Sequence, residues 1–183
     1  MTMPTHVVLI RGINVGGKNS VPMARLRAAL EDRGYGAVRT YIQSGNVVIA
    51  APGGDEARVT AGVERVLADD FDVHTVVVTI SADTWRQAVA AAPEGFADAS
   101  DIYHSDVAFL RPGLDSAQAL DAFALRDGVD AAWAGDGVVY FRRLSAERTK
   151  SYLSAVTKSP HYKNMTIRNW RTTTALARML DEP

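Results

Sequence analysis

The sequence contains no cysteine. That absence removes disulfides, thiol nucleophiles, thiolate metal sites and iron–sulfur clusters together, and it leaves no redox role for the chain's own side chains. Long apolar runs are missing as well, so no segment reads as a membrane-spanning helix. The opening stretch MTMPTHVVLI lacks the charged start and extended apolar core of a secretory leader, which makes a cytoplasmic location away from membranes the expectation. Histidine is scarce: His6, His74, His104 and His161 stand at no metal-ligand spacing, and His6 and His74 fall in strand-like runs where packing is their commoner role. Neither a metal nor a cofactor is expected. What is present is an ordinary globular composition, 47% hydrophobic over 183 residues, enough for one core or for two small ones.

A net charge of −1 conceals two blocks of opposite sign. Between Glu94 and Asp136 stand nine acidic residues against Arg111 and Arg126, and between Gly137 and Arg178 nine basic residues against Glu147 alone. Such asymmetry fits an anion-binding surface, and it equally fits two blocks that face one another or simply face water.

Periodicity predicts two similar halves. In the first, HVVLI (6–10) is a strand and Met23, Leu26 and Leu30 recur on one face of a helix over about 22–33, with Pro22 in its first turn and Gly34 beyond its end. AVRTYI and NVVIAA flank QSGN as a hairpin, Asp55 caps a helix bearing Val59, Val63, Val66 and Leu67, and VHTVVVTI is a fourth strand. Ser81 then starts a helix that ends at Pro93. The polar stretch PEGFADASDIYHS reads as a linker. The second half repeats the order: strand DVAFL, a helix capped by Asp115 with Gln118 three residues on, a VDAAW/VVYFRR hairpin around AGDG, a helix from Ser145 through Leu153 and Val156, strand NMTI, and a closing helix with Trp170, Leu176, Met179 and Leu180. Two βαββαβ units in tandem with extra helices predict an α+β fold of ferredoxin-like plaits, the first over 1–93 with a linking helix and the second over 94–183 with a C-terminal helix.

The stretch RGINVGGKNS approaches a Walker A loop, with Gly12, four residues, then Gly17 and Lys18. Asn19 stands where a magnesium-binding hydroxyl belongs, and Ser20 comes one residue late, about 100° around a helix start. The hairpin that follows makes the next strands antiparallel, which excludes the alternating parallel topology of a nucleoside triphosphatase. Anion-binding parts remain: glycine amides, a helix that follows, and the charges of Arg11 and Lys18. The same glycines serve equally as a strand-to-helix turn, with Asn14 and Asn19 satisfying backbone groups.

The blocks RGINVGGKNSVPMARLRAAL, VRTYIQSGNVVIA and TIRNWRTTTALA resemble those of the bacterial family called domain of unknown function 1697. The resemblance implies two α/β-plait subdomains and assigns no activity. It marks as polar signature positions Arg11, Asn14, Lys18 and Asn19 in the loop, Gln43, Ser44 and Asn46 in the hairpin, and Arg168, Asn169, Trp170, Arg171 and Thr172 near the end. Connectivity carries helix 1 back along the sheet, so the glycine loop and the QSGN hairpin are expected at the same end of the first sheet. The leading expectation is a phosphate-bearing ligand, nucleotide or nucleic-acid backbone, held by Gly16, Gly17 and Lys18 with Arg168 and Arg171 as a clamp. Two other readings stay open: a metal-independent transferase or hydrolase using the hairpin groups with Arg11, and a protein-interaction module without catalysis. Oligomeric state is open too.

Overall fold

Valine-rich runs punctuated by turn residues become strands, and these pair antiparallel into two four-stranded sheets with helices, an α+β architecture. The computed structural model describes residues 2–182. The chain divides into two units, residues 1–86 with 174–183, and residues 87–173.

In the first unit β1 (His6–Ile10) leads through the glycine loop to α1 (Met23–Asp32), then β2 (Gly36–Tyr41), β3 (Asn46–Ala50), α2 (Glu56–Phe71) and β4 (Val77–Ser81). The strand order is β2-β3-β1-β4. Val8, Ile10, Val47, Ile49 and Val77 from the sheet meet Leu26, Leu30, Val59, Val63 and Leu67 from the helices in one core. Each such side chain contributes about 1.5–3 kcal/mol by leaving water. Asp55 caps α2, its carboxylate accepting the Arg58 N–H at 2.7 Å. The Ser81 hydroxyl accepts the Thr84 N–H at the start of α3 (Ala82–Ala90).

In the second unit stand β5 (Tyr103–Leu110), α4 (Ser116–Leu120), β6 (Asp130–Ala134), β7 (Val138–Leu144) and β8 (Met165–Asn169), with the strand order β6-β7-β5-β8; α5 (Trp170–Leu180) begins in this unit and its residues from Thr174 onward belong to the first. The two units repeat a hydrogen-bond device. Ile10 N–H donates to Gly45 C=O at 2.8 Å and Arg11 N–H to Val76 C=O at 3.0 Å; Leu110 N–H donates to Gly137 C=O at 3.1 Å and Arg111 N–H to Asn164 C=O at 2.9 Å. In both, the residues leaving the first strand are pinned by the hairpin and by the approach to the last strand.

Three expectations require correction. No α-helix opens at Ser145: residues 145–164 instead contain three 3₁₀ turns, Ser145–Lys150, Leu153–Lys158 and Pro160–Asn164. The cause is local, because Ser151 and Ser159 are extended and their hydroxyls accept the N–H groups of Leu153 and His161, restarting the chain each time. The stretch 93–105 is not only linker, since Phe96 is fully buried and Tyr103, His104 and Ser105 already belong to β5. His74 lies outside β4, which begins at Val77, and it is exposed.

His6 is buried on β1, its Nδ1 2.8 Å from the Thr5 hydroxyl, and burial lowers its pKa below the usual 6.5 against the opposing charge of Glu56. The folded protein therefore keeps the ring neutral to lower pH than the unfolded chain does. Unfolding takes up a proton below about pH 6.5, and stability is lost as pH falls through the depressed folded value. Denaturant titrations across this range should show that slope in the native protein and a flatter one in His6→Gln.

Among the described residues no helix is long and apolar enough to cross a membrane.

Candidate functional site

The glycine loop is a miniature hairpin. Lys18 N–H donates to Val15 C=O at 3.1 Å around Gly16 and Gly17, whose φ angles of 60° and 74° match a two-residue type I′ turn. Asn14 is its hub, at φ 56°. The Asn14 amide donates to Val21 C=O at 2.8 Å and to Gln43 C=O at 2.9 Å, and its carbonyl accepts the Val21 N–H at 2.8 Å. Asn14 N–H donates in turn to Asn19 C=O, and the Asn19 amide donates to Gly12 C=O at 3.2 Å. In a phosphate loop the helix opens at the lysine, whereas α1 here opens at Met23, past the buried Val21. Gly16, Gly17 and Lys18 form an exposed tip.

Loop and hairpin stand at the same end of the first sheet, joined through Asn14 to Gln43 and through Ile10 to Gly45. Asn46 is fully buried, and its amide donates to Tyr41 C=O at 3.1 Å and to the Ser44 hydroxyl at 3.0 Å. Half-buried Arg11 accepts the Thr75 hydroxyl on its carbonyl at 2.6 Å. Most of these polar groups thus brace backbone to backbone.

The C-terminal signature residues gather elsewhere, in the second unit. Asn169 caps α5: its side-chain oxygen accepts the Thr172 N–H at 2.8 Å and its backbone carbonyl the Thr173 hydroxyl at 3.0 Å. Trp170 packs edge-on against Phe96 with ring centroids 5.2 Å apart, and Phe96 meets Trp133 and Tyr140 the same way. Asn169, Trp170 and Arg171 line a concavity of about 500 Å³ with Ala97, Ser100, Tyr103, His104 and Ser105. Arg168 stands apart from that lining. Its guanidinium donates to the Thr166 hydroxyl and to Ile167 C=O, both at 2.8 Å, and burial lowers its pKa to about 10.

His104, outside every candidate set, is the titratable group in this lining with a carboxylate at its back. Its Nε2 lies 3.3 Å from Asp106 Oδ1. The His104 side chain is 46% exposed and that of Asp106 only 12%, so the imidazole fronts the cavity and the carboxylate sits behind it. Burial raises the Asp106 pKa, while the charges of His104 and Arg143 and the hydrogen bond from His104 pull it down. Such a contact orients the ring. The signal in the sequence was alternation: Tyr103, Ser105, Val107 and Phe109 share one face of a strand, with His104 and Asp106 on the other. No cluster of three or more potential metal ligands occurs among the described residues.

Comparison with known proteins decides the family. A family model described as protein of unknown function (DUF1697) matches residues 3–140. The chain belongs to this family. No curated protein matches the sequence. Among solved structures, the chain is similar to the conserved bacterial protein SP0830 from Streptococcus pneumoniae, with 28% identity over 98% of this chain and 99% of that one and a TM-score of 0.83. The DUF1697 match takes in the glycine loop and the hairpin, while the α5 cavity borrows Asn169, Trp170 and Arg171 from beyond it.

Proposed function

We propose that the protein binds a phosphate-bearing ligand, a nucleotide or a nucleic-acid backbone, at the N-terminal end of α5, with two ferredoxin-like units as scaffold, the second carrying 3₁₀ turns in place of its second helix. The observation that carries this reading is the 500 Å³ concavity that combines Arg171 and His104 with the first turn of an eleven-residue helix. The positive end of the helix dipole favours an anion there. Arg171 supplies a forked donor for phosphate, and Tyr103 and Trp170 offer aromatic surface to a base. In the glycine loop Asn14, Asn19, Ser44 and Asn46 hydrogen-bond within the loop and hairpin, Gln43 accepts one bond on its backbone carbonyl, and Lys18 N–H is held by Val15, so an anion would meet the exposed tip through the Gly16 and Gly17 N–H groups and the Lys18 ammonium. The cavity therefore outranks the loop.

One observation favours a second reading, in which the same site performs metal-independent group transfer or hydrolysis. The carboxylate-backed imidazole of His104 is placed to move a proton at the cavity wall.

Calorimetric titration with ADP and with a short single-stranded oligonucleotide tests the proposal. Binding should weaken roughly tenfold or more in Arg171→Ala, stay unchanged in Lys18→Ala, and fall steeply with salt for the oligonucleotide. No binding at low salt overturns it. Loss on Lys18→Ala with Arg171→Ala unaffected overturns the location and returns the ligand to the glycine loop.

A further inference from the structure

At the opposite end of the first sheet from the glycine loop, α1 and α2 present a second basic feature. α1 ends at Asp32 and α2 begins at Glu56, and the chain between them brings Arg33, Tyr35 and the turn Gly53-Gly54 together. Two adjoining concavities open there, of about 260 and 340 Å³, and they share Arg33, Tyr35 and Arg58. Arg65 lines the second, one further step along α2. Arg58 and Arg65 are seven residues apart, two helical turns, so their backbones stand about 10 Å apart along one face of the helix.

The charges differ in how they are used. Arg33 is held by Asp70, with N···O distances of 2.8 and 3.3 Å, and Asp32 and Asp69 add negative potential beside it. Arg58 and Arg65 instead approach the phenol of Tyr35, where their positive charge opposes the upward push of burial on its pKa. Glu56, in the first turn of α2, is engaged elsewhere, accepting the Ser81 N–H at 2.7 Å. The net charge facing the two concavities is therefore carried by Arg58 and Arg65, with the Tyr35 hydroxyl between them as a neutral donor. Gly62 makes room for the Tyr35 hydroxyl, which lies where a side chain on that residue would stand.

The geometry points to a groove for a linear chain of phosphates, the anion laid along α2 with one end at Arg58 and the other at Arg65. Two arginines whose backbones stand about 10 Å apart on one helix face suit several linked phosphates better than one. This site is independent of the α5 cavity in residues and in unit, so either can fail alone.

Inorganic tripolyphosphate is the direct probe, titrated by calorimetry at about 50 mM salt, where surface charge is not fully screened. The native protein should bind it, the double variant Arg58→Gln/Arg65→Gln should lose roughly tenfold or more in affinity, and Arg171→Ala should leave it unchanged. Orthophosphate should bind much more weakly than tripolyphosphate. Both arginines are exposed, so an unaltered melting temperature is expected in the double variant; if it falls, the separate single variants, each with at least a threefold loss expected, carry the test. Measured in the Arg171→Ala background, so that the α5 cavity does not contribute, a comparable loss with ATP assigns the groove to nucleotide tails, and retention of ATP binding with loss of tripolyphosphate assigns it to inorganic chains. Failure of the native protein to bind tripolyphosphate, or undiminished binding by the variants, overturns the site.

Discussion

Replacing Gly45 by alanine should destabilise the protein by about 3 kcal/mol, lowering its melting temperature by roughly 10 °C. Two costs add at this residue. Its φ is 75°, a region that costs an L side chain about 1–2 kcal/mol. A Cβ placed there would also lie 2.5 Å from the Ile10 carbonyl oxygen and 2.9 Å from the Ile10 Cβ, against the strand to which Gly45 is hydrogen-bonded. Neither neighbour is the end of a flexible side chain, so β1 or the hairpin must move. Gly16→Ala isolates the first cost, since Gly16 has φ 60° and nothing within 4 Å of its Cβ position. That variant should lose only about 1 kcal/mol. Thermal melts of the two, side by side, separate conformational strain from collision; equal losses would mean that the close approach of hairpin and strand is not what glycine is needed for.

Asn14→Ala should cost about 3 kcal/mol by a different route. Alanine cannot replace the two donated bonds to Val21 and Gln43 or the bond accepted from the Val21 N–H. Val21 is fully buried, so its peptide groups would be left without partners and without water. Asparagine also tolerates the positive φ of 56° better than alanine does. Asn14→Gly removes that second cost and keeps the first, and it should recover at most about 1 kcal/mol. Asn14→Asp keeps the acceptor for Val21 N–H but turns a carboxylate oxygen toward two carbonyls, so it should be no better than alanine. Amide exchange at Val21 should accelerate in all three variants, and an unchanged rate would mean that the loop closes without its hub.

These two positions show what the sequence makes legible. Connectivity alone predicts that the glycine loop meets the QSGN hairpin, because a returning helix and a two-strand turn leave no other end of the sheet for it, and the Asn14–Gln43 bond is that meeting. The caps at Asp55 and Asp115 are legible for the same reason: a side-chain oxygen next to free helical N–H groups acts locally. What stays hidden depends on partners distant in sequence. Phe96 looks like a stray aromatic in a polar stretch until Trp133, Tyr140 and Trp170 close around it. His104 and Asp106 interrupt the apolar pattern of β5, so its first residues read as linker although they build the wall of the cavity. Competing serine caps break the segment after Ser145 into 3₁₀ turns where the spacing of Leu153 and Val156 suggests a helix. Of the candidate site, sequence supplied Asn169, Trp170 and Arg171, and the fold supplied the residues opposite them.

The central claim is that an anionic ligand sits at the start of α5, and amide chemical-shift mapping with ADP measures its place directly. On titration into the isotope-labelled protein, shifts should centre on residues 97–105 and 169–171, with residues 12–19 undisturbed. Saturating shifts confined to 12–19, or none at all at millimolar ADP, would contradict it.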